Sequence, residues 1–359
     1  MSLPRFDPTG LIVSIPARLR YAPHRQLVIM LINTEMGPAG EDTDSLARTA
    51  IVAFDLTGDV ERLVDAAAQA ARRIDASVAF VVVVDDRLIG PTLQPLPAPG
   101  IERTLAVLAA GLAAAGAPIR QVWATRRVTP GSLWWSLTDS EDQGVLTDPS
   151  ESLAAADRRA KGQTVFSSRQ ELMSALDPDP DLSAAVETLL PAARIRAEAQ
   201  RGRAMANDCW NSHYRRGLEF VLWCAADIAA GEDVPPQRLA ELAMVLADQM
   251  VLDCLHATAR SEYQPVVEQL WTLLLRSLTG PERAAPAALL AYSLSLRGDG
   301  PLALVAVTAA LAADPHHFTS KLLYAVLNQP VPPSHLPTWS RLGAAAAEDL
   351  GVDLGTTDH

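Results

Sequence analysis

Five charged residues directly follow short apolar segments in the N-terminal half of the sequence: Asp55, Asp85, Asp86, Arg126 and Arg127. If those segments are parallel strands, their carboxyl ends lie along one edge of a sheet, where ligands commonly bind. A preceding strand that pairs antiparallel would bring His24 and Arg25 to the same edge. Carboxylates mixed with arginines could hold a divalent metal together with a phosphate-bearing ligand. The alternative is that these residues cap helices and solvate loops, which requires no ligand.

Two further residues could contact a partner. Trp134 and Trp135 are adjacent in a predicted strand and must face opposite sides, so Trp135 could lie at an interface or in the core. Arg169 begins a predicted helix, where the macrodipole disfavours a cation. That position favours a specific partner for Arg169, either an anionic ligand or a carboxylate in a salt bridge across the domain junction.

Motifs of established catalytic and cofactor sites are missing from the sequence. Gly111 and Gly116 have the separation found in a phosphate-binding loop, but Ala117-Pro118 replaces the lysine and the hydroxyl residue of that motif. The three cysteines lack CxxC spacing, which is typical of reduced core cysteines. The histidines lack metal-ligand spacing as well, so the sequence predicts no metal and no cofactor, and leaves open whether the protein is an enzyme.

Charge and hydropathy restrict the compartment and the partners. The formal net charge of −12 disfavours nucleic acid as a partner, because an acidic surface repels phosphate. The first residues contain no apolar segment of a signal peptide. No uninterrupted apolar helix reaches the ~20 residues needed to cross a bilayer. These observations predict a cytoplasmic protein that does not contact a membrane.

The N-terminal half has the pattern of an α/β domain. Short apolar runs such as Leu27 to Ile32 and Val78 to Val84 read as buried strands. Asp59 is the predicted N-cap of a helix that ends near Ile74, and the order strand–helix–strand–helix–strand predicts a mixed, largely parallel sheet with flanking helices. Residues Leu11 to Leu19 could form a strand or a short helix.

The C-terminal half has the pattern of an all-α domain. Beyond about Ser150, apolar residues recur at the helical period, and the prolines of the segment 177–180 mark a linker. We therefore predict an α/β domain over residues 1–176 and a helical domain over residues 177–359. One helix pair has the small-residue spacing of a tetratricopeptide repeat, which predicts tetratricopeptide-like packing: Ala291, Ala303, Ala310 and Pro315.

Several scattered blocks of the sequence together resemble one family: Leu11, Ile15-Pro16, Leu19, Tyr21, Pro23, Leu27-Val28, Trp135-Ser136, Gly162 to Leu172, Gly298-Asp299-Gly300 and Ala313-Asp314-Pro315. On these blocks the chain resembles an actinobacterial family known as domain of unknown function 4192. The resemblance implies a short helix over Leu11 to Leu19 and implies no activity. The sequence departs from the family pattern at Arg20, at Arg25-Gln26, at Leu252 and at residues 139–142, as a divergent member would.

Two classes of function follow from these patterns. The missing catalytic motifs favour an interaction or regulatory protein whose helical half docks a protein partner. Its docking face would lie within Glu282 to Leu327, either free or covered by the segment Pro330 to Pro337 with Trp339. The alternative is a small-molecule-binding, metal-binding or catalytic α/β domain whose site lies at the carboxyl edge of the strands.

Overall fold

A computed structural model describes residues 6–34, 49–90, 101–139, 141–328 and 338–356. The chain divides into two compact units, Met1–Leu172 and Met173–His359. The division lies a few residues before the boundary predicted after residue 176. In the described ranges, no single helix is long and apolar enough to cross a membrane. One bent pair, Pro236–Leu246 with Gln249–Arg260, reaches that length and apolarity only when both helices are taken together.

Unit 1 is a sheet with flanking helices. Its described elements are, in chain order: α1 (Pro8–Leu19), β1 (Gln26–Ile32), β2 (Thr49–Asp55), α2 (Val60–Arg73), β3 (Val78–Val84), α3 (Ile101–Ala114), β4 (Ile119–Thr125), β5 (Leu133–Ser136), β6 (Gln143–Val145), a 3-10 turn (Pro149–Glu151) and α4 (Leu153–Ala160). The first segment, which the sequence left open, is the helix that the family resemblance implied. Helix α5 (Arg169–Ser174) contains the division between the units.

The sheet is mixed, and the expectation of a largely parallel sheet is wrong. Its strand order is β2-β1-β3-β4-β5-β6, and only β3 and β4 pair in parallel. Strand β1 lies between β2 and β3 and is antiparallel to both. Strands β2 and β3 therefore run in the same direction without being neighbours. The order of strands and helices along the chain predicts that shared direction but not the inserted strand.

Burial and capping explain the central elements of unit 1. All seven residues of β1 and of β3 are buried, as expected for strands covered on both faces. The carboxylate of Asp59 accepts hydrogen bonds from the backbone N–H groups of Glu61, at 2.9 Å, and Arg62, so Asp59 is the N-cap of α2. Leu63 and Ala67 of that helix pack on one face of the sheet.

Unit 2 is helical, as predicted, and its described part contains no sheet. Its elements are α6 (Pro180–Ala206), α7 (Trp210–Ala229), α8 (Pro236–Leu246), α9 (Gln249–Leu255), a 3-10 segment (His256–Arg260), α10 (Gln264–Ser277), a 3-10 turn (Pro281–Arg283), α11 (Ala284–Leu296), α12 (Gly300–Ala313), α13 (Phe318–Asn328) and α14 (Trp339–Asp349). Leucines and small residues from most of these helices form one apolar core.

The α11–α12 hairpin buries the small residues that suggested a tetratricopeptide pair. Ala291, Ala303 and Ala310 are fully buried within the core, so the two helices approach closely there. The predicted docking face within Glu282 to Leu327 was to be built from six apolar residues. Three of them, Leu289, Leu290 and Leu294, are buried in the same core, whereas Leu302, Val305 and Leu311 are half-buried. Residues 330–337 lie outside the described residues. Tetratricopeptide-like packing stays a prediction.

Candidate functional site

The ends of three strands meet at one edge of the sheet in unit 1. In the register of the sheet, Gln26 at the start of β1 lies opposite both Asp55 and Val84, and Val84 lies opposite Thr125. The start of β1 and the carboxyl ends of β2, β3 and β4 therefore share this edge. We call it the sheet edge.

Asp86 at the sheet edge contacts three of the residues named from the sequence. Its carboxylate accepts hydrogen bonds from Arg25 at 2.8 and 3.3 Å, and His24 Nε2 lies 3.5 Å from it. Arg126 donates two hydrogen bonds, at 3.1 and 2.9 Å, to the backbone carbonyl of Asp86. The hydrogen bond from the Arg25 guanidinium lowers the pKa of Asp86 to about 2. The carboxylate is therefore ionised at neutral pH and already neutralised by a cation.

Asp85 and Asp55 are each paired separately. The buried Asp85 carboxylate accepts hydrogen bonds from the side chain and the backbone N–H of Arg87. Burial acts to raise the pKa of Asp85, but these bonds and the charge of Arg87 outweigh it and lower the pKa. Asp55 accepts from Gln26 at 3.0 Å and from Arg169 at 3.2 Å. Asp55 and Asp85 therefore contact different arginines, Arg169 and Arg87.

The remaining sequence candidates also have structural roles. Arg169 forms its salt bridge with Asp55 inside unit 1 rather than across a domain junction. Trp135 is only 7% exposed and packs in the core of unit 1, so its ring offers no interface surface. The side chain of Arg127 is exposed, and its carbonyl accepts a hydrogen bond from Thr125 Oγ1 at 2.9 Å. In the described ranges, no three His, Cys, Asp or Glu residues are grouped as metal ligands.

A cavity of about 560 Å³ lies within unit 2, between helices α6, α7, α8 and α9. We call it the helical cavity, and its lining residues are Ala193, Arg196, Ala197, Gln200, Arg201, Arg203, Ala204, Asn207, Cys209, His213, Arg216, Gly217, Phe220, Glu241, Met244, Val245, Asp248 and Val251. Its deeper wall is apolar, because Ala193, Ala204, Met244 and Val251 are buried. Its rim is polar and exposed, and includes Gln200, Arg203, Asn207 and Arg216.

The helical cavity contains more cationic than anionic side chains. Four arginines and His213 line it, against two carboxylates. Arg196 pairs with Glu241 at 3.0 Å, and His213 Nε2 lies 3.1 Å from Asp248 Oδ2. In the described part of the chain, no carboxylate pairs with the other three arginines. The cavity therefore offers unpaired guanidinium groups beside an apolar wall.

His213 and Asp248 form a half-buried pair at this cavity, with side chains that are each 14% exposed. His213 lies one turn into α7, where its ring contacts Trp210 and Tyr214 edge to face. Cys209, which directly precedes α7, is half-buried at the same cavity.

A comparison with protein-family models shows which family this chain belongs to. The model described as Domain of unknown function (DUF4192) matches residues 8–334. The chain belongs to this family. No curated protein and no solved structure matches it. Both the sheet edge and the helical cavity of this DUF4192 member lie inside the matched residues, whereas α14 lies beyond them.

Sequence reasoning missed the helical cavity of this DUF4192 chain. One signal was present: Ala193, Ala197 and Ala204 lie on the same face of α6 as Arg196 and Arg203. Small residues beside long cationic ones leave a recess on a helix surface that larger residues would fill. Arginines on a helix are more often solvated, however, and the spacing between α6 and its neighbours cannot be read from the sequence.

Proposed function

We propose that this protein binds a small organic molecule in the helical cavity. One observation carries the proposal: a cavity of about 560 Å³ combines a buried apolar wall with a few polar groups at its rim. Small-molecule sites in proteins typically have volumes of roughly 300–1,000 Å³ and this mixture of linings. A binding or sensing role needs no catalytic motif, which agrees with the motifs missing from the sequence.

The sheet edge supports ligand binding less well. Each of its three carboxylates already accepts hydrogen bonds from an arginine of unit 1. A ligand or metal that used these carboxylates would have to displace Arg25, Arg87 or Arg169. We therefore assign the sheet edge to stabilising unit 1, and the ligand site to unit 2.

The experiment compares two phenylalanine variants of helix α6. Ala197 lines the helical cavity, so Ala197→Phe fills part of it, whereas Ala199 is exposed on the same helix outside the cavity and serves as the matched control in Ala199→Phe. A ligand at 100 times its Kd stabilises the folded state by about 2.7 kcal/mol. Compounds found by thermal shift should raise the melting temperature of the wild type and of Ala199→Phe, but not that of Ala197→Phe. Compounds that stabilise all three proteins equally would overturn the proposal.

A second candidate function, docking of a protein partner by the helical half, is favoured by one observation. Phe318 is 76% exposed, and Leu322, one turn further along the same face of α13, is 37% exposed. Exposed apolar side chains that lie together commonly mark interaction sites. If a protein docks there, Phe318→Asp should weaken its binding by at least tenfold, and the matched change Lys321→Asp on the polar part of α13 should weaken it much less. Equal effects of the two variants would exclude this surface.

A further inference from the structure

We infer that the ligand of the helical cavity is an organic anion, in which a carboxylate or phosphate group is carried on an apolar body. This inference rests on the proposed function, because it names the chemical class that the same cavity would hold. It follows from the charges at the rim of the cavity and from the apolar wall behind them.

The charges at the rim are unbalanced in favour of cations. Glu241 and Asp248 are occupied by Arg196 and His213, at 3.0 and 3.1 Å. Three arginines then remain without a carboxylate among the described residues: Arg201, Arg203 and Arg216. The whole chain has 42 acidic and 30 basic residues, so a cluster of unpaired guanidinium groups contrasts with its average charge. The planar fork of arginine matches carboxylate and phosphate oxygens in pairs of hydrogen bonds.

The helix macrodipole explains only part of this cluster. Arg203 lies in the last turn of α6, where the partial negative charge of the helix end favours a cation. Arg216 lies beyond the first turn of α7 and well before its last turn, outside the reach of either helix end. Its position at the rim therefore favours a bound anion rather than a contribution to helix stability.

The wall behind the rim fits an apolar body rather than a free inorganic ion. Phe220 and Val245 are half-buried and Met244 is buried, and all three line the cavity together with alanines of α6. An inorganic anion at the rim would leave this wall uncovered. A ligand with an alkyl or aromatic body would cover this wall and remove its apolar surface from water, which favours binding.

The experiment uses isothermal titration of the full chain with four probes: octanoate, octyl phosphate, octanol and inorganic phosphate. We expect both amphipathic anions to bind at least tenfold more tightly than octanol, because octanol lacks the charge, and more tightly than inorganic phosphate, because phosphate lacks the apolar body. The tighter of octanoate and octyl phosphate shows which head group the cavity prefers. Arg216→Gln and Arg201→Gln should each weaken binding of the anions by about tenfold and leave octanol unchanged. Arg341→Gln, an equal charge change outside the cavity, should alter neither.

The outcomes separate this inference from the proposed function. If octanol binds as tightly as octanoate, and Ala197→Phe abolishes both, the cavity binds ligands but the anion inference is overturned. The same conclusion follows if the two glutamine variants bind octanoate as the wild type does. If octanoate binds Ala197→Phe as tightly as the wild type, the anion site lies elsewhere and both proposals fail. If neither amphipathic anion binds at millimolar concentration, the inference fails, and the ligand screen with the phenylalanine variants decides the proposed function alone.

Discussion

Gly343 of helix α14 lies against the backbone of the last turn of α9 and of the 3-10 segment that follows it. A Cβ atom at this position would lie 2.5 Å from the carbonyl oxygen of Asp253, 2.8 Å from that of Cys254 and 3.2 Å from the backbone nitrogen of Ala257. Backbone atoms cannot rotate away as a side chain can. Gly343→Ala must therefore push α14 outward by about 1 Å to restore ordinary contact distances near 3.5 Å.

The expected loss of stability follows from two opposing contributions. Overpacking a well-packed site costs about 1–3 kcal/mol, and contacts with fixed backbone place Gly343→Ala at the upper end, about 3 kcal/mol. Alanine is a better helix former than glycine by about 1 kcal/mol, which offsets part of that cost. We expect the free energy of unfolding of unit 2 to fall by about 2 kcal/mol. For a unit of this size the melting temperature should fall by about 4–8 °C.

Gly202 of α6 provides a matched control with the opposite expected sign. No atom lies within 4 Å of a Cβ built at Gly202, which is exposed within the helix. Gly202→Ala should therefore raise the free energy of unfolding by about 0.5–1 kcal/mol, through helix propensity alone. Urea unfolding followed by circular dichroism measures both variants. If Gly343→Ala proves as stable as Gly202→Ala, the close approach of α14 described above is refuted.

Three further predictions concern buried ionisable groups. Burial lowers the pKa of His256 below 6.5, and outweighs the charge of Asp253 and the backbone contacts of Asp253 and Leu252, which act to raise the pKa. As the pH drops below about 6.5, the unfolded chain takes up this proton before the folded chain does. The free energy of unfolding should therefore fall by up to about 1.4 kcal/mol per pH unit. Urea melts at several pH values measure this dependence, and His256→Phe should weaken it. Burial raises the pKa of Cys224 and of Cys254 to about 11. A thiol reagent at neutral pH should therefore modify only Cys209 in the folded protein. Rapid reaction of a second thiol would contradict this prediction. Asp85→Asn should lower the free energy of unfolding of unit 1 by about 1–3 kcal/mol, because it weakens the hydrogen bonds between Asp85 and Arg87. An unchanged midpoint of urea unfolding would show that these bonds do not stabilise unit 1.

Much of unit 1 could be predicted because its strands are continuous apolar runs. Residues Val78 to Val84 form β3 with the predicted bounds, and α2 begins after Asp59 as expected. Strand β6, Gln143–Val145, was missed because three mostly exposed residues carry no recognisable alternation. The order of strands could not be predicted either. An apolar run shows that a strand is buried, but not which strand lies beside it, so the insertion of β1 was not visible.

The candidate site was harder to predict than the fold. The ends of β2, β3 and β4 did meet at one edge, because strand direction follows from the helical connections. The pairing of each carboxylate with an arginine depends on loop conformation, which sequence spacing does not determine. The helical cavity depends on how far α6 stands from α7 and α8. That distance is set by packing between helices, and no single helix shows it in its pattern.

The two units have separate apolar cores, one built around β1, β3 and β4 and the other around helices α6 to α14. Cooperative unfolding extends only as far as the packing that links residues, and chains with more than one domain commonly melt in more than one step. We therefore expect each unit to have a melting temperature of its own, and the shifts predicted above for ligands and for Gly343→Ala refer to that of unit 2. If a molecule binds in the helical cavity, we expect it to raise the midpoint of the step that unfolds unit 2 and to leave the midpoint of the other step unchanged. Calorimetry could thus assign an unknown ligand to its unit before any residue is changed.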